Sequence, residues 1–68
     1  MLYKFYFALR SNKVLLKNGL YIITIDIRNG HYKIWYINGF RLPILFDVCE
    51  NKDILKFKWN ILMQKGGI

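Results

Sequence analysis

Apolar and polar residues alternate along most of this chain, and three Asn-Gly pairs punctuate the alternation: Asn18-Gly19, Asn29-Gly30 and Asn38-Gly39. A type I′ hairpin turn needs positive φ at both central residues, which Asn tolerates and Gly adopts freely. The pairs are too closely spaced for helices between them. The middle of the chain is therefore predicted to be a meander of antiparallel strands.

Centring the second hairpin on Asn29-Gly30 sets Ile27 opposite Tyr32, Asp26 opposite Lys33 and Ile25 opposite Ile34. One face then carries Ile23, Ile25, Ile27, Tyr32, Ile34 and Tyr36. The other carries Thr24, Asp26, Arg28, His31, Lys33 and Trp35, with Asp26 and Lys33 as a cross-strand charge pair. A slip of one residue would scramble this segregation. The same rule joins Leu16 to Tyr21 and Val14 to Ile23 around Asn18-Gly19. Around Asn38-Gly39 it joins Ile37 to Phe40 and Trp35 to Leu42, and leaves Arg41 on an otherwise apolar face. Pro43 cannot donate to a ladder, so its strand is an edge or bulged. A bulge there would turn Ile44, Phe46 and Val48 toward the core.

The two ends alternate as well. Tyr3, Phe5, Phe7 and Leu9 share one side against Lys4, Tyr6 and Ala8. Leu55, Phe57, Trp59, Ile61 and Met63 share one side against Lys56, Lys58, Asn60 and Leu62. Both patterns predict half-buried strands. A short helix over Ile54 to Gln64 is the alternative, disfavoured by Phe, Trp and Ile. Residues Arg10 to Lys13 and Glu50 to Asp53 read as polar turns. The predicted fold is one all-β domain over residues 1–68, a small antiparallel meander of five to six strands. It would form a curled sheet or small barrel of SH3-like or OB-like size, because closure removes two sticky edges.

Composition narrows the function. Sixty-eight residues lie near the lower limit for unaided folding. Cys49 and His31 are the only cysteine and histidine, so neither an internal disulfide nor a Cys/His zinc site can be built from one chain. No metal or cofactor is expected. The net charge of +7 favours anionic partners, although an A+T-rich gene would also enrich lysine. His31 beside Asp26, Arg28 and Lys33 is the one polar cluster resembling a catalytic site, but a solvated imidazole at a turn needs no such role. Cys49, close to Asp47 and Glu50, reads as a packing residue. No enzyme is predicted. The apolar stretch Leu2 to Leu9 is broken by Lys4, too short to span a membrane and followed by no cleavage site. An intracellular location (organellar, viral or cytoplasmic) is expected, with neither secretion nor a membrane partner.

The candidate binding residues fall into two groups. Lys4, Lys56 and Lys58, with Tyr6, would lie on the outward faces of adjacent terminal strands. Arg28, Lys33 and Trp35 would lie on the central hairpin. Each group offers cations for phosphates and a ring for an unpaired base. The predicted role is a small basic binding module for RNA or DNA, for example a minor subunit of a ribonucleoprotein. The alternative is a small viral or phage interaction module that binds a host protein, alone or as a homodimer.

Overall fold

Strand β2 (Tyr21–Asp26) has no face that can be left in water, and the architecture follows from covering both. The protein is described by a computed structural model over residues 2–39 and 41–66. Around β2 the chain builds α1 (Leu2–Leu9), β1 (Asn12–Asn18), β3 (Tyr32–Tyr36), β4 (Ile44–Cys49) and α2 (Lys52–Gly66). The four strands form one antiparallel sheet in the order β1-β2-β3-β4. On one face Ile22 lies opposite Trp35, and α1 covers them with Phe7, flanked by Tyr3 and Tyr6. On the other, Ile23 lies opposite Ile34 beside Cys49, and α2 covers them with Leu55, flanked by Trp59 and Leu62. The sheet is thus a layer between two helices.

The antiparallel meander expected for the middle of the chain is present, with four strands. The expected terminal strands are corrected: both ends are helices, on opposite faces, and the sheet is open rather than a barrel of five to six strands. In Leu2–Leu9 nearly every position is apolar, so a two-residue and a 3.6-residue period fit equally well. The helix buries Phe7 and half-buries Tyr3 and Tyr6, at spacings of three and four, while Phe5 and Leu9 stay 72% and 83% exposed. Helix α2 starts at a well-formed cap. The Asn51 side-chain Oδ1 accepts from the Ile54 N–H at 2.9 Å, and the Leu55 N–H donates to the Asn51 carbonyl at 3.1 Å. Asp53 in its first turn and Lys65 in its last complement the helix dipole.

The hairpins shift from their predicted registers in an instructive way. Ile25 pairs with Tyr32 and Ile23 with Ile34, two residues from the expected partners. A shift of two preserves which side chains share a face. Ile23, Ile25, Tyr32, Ile34 and Tyr36 therefore do lie together, while Ile27 moves out into the turn. That turn closes through Asp26 N–H to His31 carbonyl (2.9 Å) and Gly30 N–H to Asp26 carbonyl (2.7 Å). The first hairpin turns at Gly19-Leu20, with Asn18 paired to Tyr21 and φ of +61° at Gly19. Glycine at the first central position is the type II′ arrangement. Leu16 pairs with Ile23 and Val14 with Thr24, so a bulge at Leu15 separates them.

Asn38-Gly39 does not close a two-residue hairpin. Trp35 pairs with Leu45 rather than Leu42, and the link from β3 to β4 is longer and contains an Arg41 N–H to Asn38 carbonyl bond. The predicted contact of Ile37 with Phe40 lies outside the described residues. The register of β4 jumps between Asp47 and Leu45, so the bulge lies at Phe46 and not at Pro43 as expected. β4 is an edge strand, as Pro43 implied, but Ile44, Phe46 and Val48 are exposed rather than turned into the core.

Two backbone positions test these turns. Gly30 has φ of +76°, and Ser11, just past α1, has φ of +58°. Gly30→Val is expected to destabilise the domain by about 1–3 kcal/mol, because a β-branched residue resists that region. Ser11→Gly is expected to stabilise it by up to about 1 kcal/mol, since glycine is the preferred residue where a helix ends in a left-handed turn. Urea denaturation of both variants measures the opposite signs.

Candidate functional site

The face of the sheet under α1 carries polar side chains as well as Ile22 and Trp35, and each has a partner. Thr24 is fully buried. The Trp35 indole Nε1–H donates to Thr24 Oγ1 at 2.8 Å, and the Thr24 hydroxyl donates to Asn12 Oδ1 at 2.8 Å. Asn12 Nδ2 in turn donates to the Arg10 carbonyl at 2.9 Å, which ties the end of α1 to the sheet. Next along the face, Asp26 is 1% exposed and accepts from Arg28 Nε (3.2 Å), Arg28 Nη2 (3.1 Å), the Arg28 backbone N–H (2.9 Å) and Lys33 Nζ (3.2 Å). The Arg28 hydrogen bonds, side chain first, hold the Asp26 carboxyl well below the usual carboxylate range. Asp26 raises the pKa of the Arg28 guanidinium in return.

This placement redistributes the candidate binding residues. Arg28 and Lys33 are both engaged with Asp26, as the predicted Asp26–Lys33 pair anticipated in part. Trp35 is 6% exposed, with its ring tilted against Phe7 at 5.0 Å, so no base can stack on it. Lys58 lies on α2 and donates to Asp47 at 3.0 Å, and Asp47 raises its pKa. Lys56 is exposed on α2, and Lys4 is exposed on α1 with Tyr6 half-buried beside it. Lys4 and Tyr6 therefore lie across the sheet from Lys56 and Lys58, and the four do not form one strip. Cys49 is fully buried between β4 and α2, and burial pushes its thiol pKa up. His31 sits at the turn, its N–H bonded to Asn29 Oδ1.

A different set of residues does converge. Between α1, the Gly19-Leu20 turn and the link from β3 to β4 lies a cavity of about 590 Å³. Tyr3, Tyr6, Leu20 and Ile37 form apolar walls, Lys17 and Arg41 supply cations, and no carboxylate lines it. Lys17 Nζ donates to the Gly19 carbonyl at 3.0 Å, which holds the ammonium at the turn. Arg10 stacks 3.9 Å over the Tyr6 ring. Of these residues the sequence reading singled out Tyr6. Arg41 had left a signal: a cation forced onto an apolar face by hairpin arithmetic marks a place where the register must break.

Among the described residues, no group of three or more His, Cys, Asp and Glu side chains could hold a metal ion. No described helix is long and apolar enough to cross a membrane. The chain matches no known family, curated protein or solved structure.

The Asp26 cluster generates a pH test. Its depressed pKa means the unfolded chain takes up a proton more readily, so the cluster stabilises the fold above the unfolded carboxylate value of about 3.9. That contribution is lost as pH falls from there toward the lower folded value. Asp26→Asn is expected to melt at a lower temperature near neutrality and to lose less on further acidification. Thermal melts of both proteins from neutral pH down to about pH 2 compare the slopes.

Proposed function

We propose that the protein is a small non-enzymatic binding module for RNA or DNA, and that the cavity beside α1 takes an unpaired base. The observation that carries this reading is the cavity's lining: two tyrosines and two cations with no acid among them. Its volume falls within the usual range for ligand sites, about 300–1,000 Å³. An aromatic wall accepts any base through its π-face, and Lys17 and Arg41 suit the phosphates on either side. The charge distribution supports the same reading. Among the described residues three cations are committed to Asp26 and Asp47, leaving eight Lys and Arg without an ion pair against Glu50 and Asp53. Such an excess draws a polyanion from a distance and leaves the choice of strand form to the cavity.

Anisotropy of labelled single-stranded oligonucleotides across a salt series tests this. The double variant Lys17→Gln, Arg41→Gln is expected to weaken binding and flatten the log–log salt slope by about 1.4, from two phosphates on a single strand. Tyr3→Leu keeps the wall apolar and is expected to cost about 1–3 kcal/mol of affinity with the salt slope unchanged. Lys56→Gln, across the sheet, is expected to stay near wild type. Absence of salt-dependent affinity for any single strand at low ionic strength overturns the proposal.

A further inference from the structure

The three Asn-Gly pairs share a sequence signature but not an environment, and we propose that Asn38 is a site of spontaneous self-modification. There the Gly39 backbone nitrogen displaces ammonia from the Asn38 side-chain amide, and hydrolysis leaves a carboxylate at the rim of the cavity. The chemistry needs no co-reactant but water. The deprotonated Gly39 nitrogen attacks Asn38 Cγ and closes a five-membered imide. The Cγ–Nδ2 bond breaks, and ammonia leaves with a proton that water relays from the attacking nitrogen. Water then opens either ring carbonyl to give aspartate or isoaspartate, and the acid ionises. A following glycine leaves the attacking nitrogen unhindered, so by sequence all three pairs are candidates.

The fold separates them. The Gly30 N–H donates to the Asp26 carbonyl at 2.7 Å, which keeps the proton on the attacking nitrogen, and Asn29 Oδ1 accepts from the His31 N–H at 2.9 Å. Asn18 ends β1 paired with Tyr21, and its Nδ2 donates to Met63 Sδ at 3.2 Å. Cyclisation at either pair must first break these bonds. Asn38 comes just after the Ile37 N–H bonds the Leu20 carbonyl at 2.7 Å. Asn38 and Gly39 are both exposed and lie outside the strands. Among the described residues, nothing bonds the Asn38 amide or the Gly39 N–H, and the Arg41 N–H spans the turn to the Asn38 carbonyl at 3.2 Å. No atom outside the adjoining residues lies within 4 Å of where a Cβ would stand on Gly39, so the surroundings are open.

The consequence rests on the nucleic-acid reading of the cavity. Ile37 and Gly39, on either side of Asn38, line it together with Arg41, and no carboxylate does. A new anion there offsets Arg41 and repels phosphate, so modification would lower affinity for a strand.

Peptide mapping by mass spectrometry, after the full chain has stood in mildly alkaline buffer, reads all three sites at once. Asn38 is expected to convert at least about tenfold faster than Asn18 or Asn29 while the chain is folded. In urea the three rates should converge. Asn38→Gln, which must close a less favourable six-membered ring, should remove the early species of lower positive charge from cation exchange. Folded-state rates that are alike, or that are led by Asn18 or Asn29, overturn the site. So does a lead for Asn38 that persists in urea, since sequence alone would then set it. Asn38→Asp, which supplies the aspartate product, is expected to bind single strands about two- to fivefold more weakly at low salt and near wild type at high salt. Equal binding at low salt overturns the consequence. A wild type that binds no strand overturns the nucleic-acid reading and this consequence together, and the site is then decided by the maps alone.

Discussion

Everything in this small domain answers to the dryness of β2 on both sides. A two-layer protein can let one face of its sheet stay wet, but here Ile22, Ile23, Thr24 and Asp26, from both faces, are all buried. Sixty-eight residues must then supply a cover for each face, and the chain does so with its two ends. Polar groups trapped under the first cover cannot turn to water. Thr24 therefore accepts from one neighbour and donates to another, and Asp26 gathers two cations. Each such group is costly if left alone and neutral or better when matched. No buried side-chain nitrogen or oxygen among the described residues lacks a partner.

How much of this could be read from the residues depended on how local the signal was. The meander was legible because Asn-Gly pairs and β-branched runs act over a few positions. The faces of the central hairpin were legible even though its register was off by two, since an even shift conserves sidedness. The helices were not, for different reasons at the two ends. Leu2–Leu9 is too uniformly apolar for periodicity to choose, and only the need to cover Ile22 and Trp35 settles it. In Lys52–Gly66 the two patterns compete: Leu55, Phe57 and Trp59 alternate, but Leu55, Trp59 and Leu62 recur at helical spacing. The Asn51 cap was the local mark that could have decided it.

The binding residues show the same division between local and distant. That the chain is basic is plain from counting, but which cations are available is a tertiary property. Lys58 meets Asp47 across eleven positions, and Arg28 folds back on Asp26 within its own turn. Neither outcome follows from strand alternation. Trp35 was placed among polar neighbours correctly; what periodicity could not supply was the helix lying over them. A face that alternates with an apolar one need not be the solvated one when a second layer is still to be added.

Cys49 gives the molecule an internal timer. Its sulfur is sealed between β4 and α2, and burial keeps it in the unreactive thiol form. A small thiol reagent can therefore modify it only in those molecules in which the cover over Cys49 has momentarily opened. The rate of labelling counts these openings one at a time, without denaturant. Since no second cysteine exists, every modified chain records an opening that uncovers this one sulfur, whether α2 lifts alone or the whole fold opens.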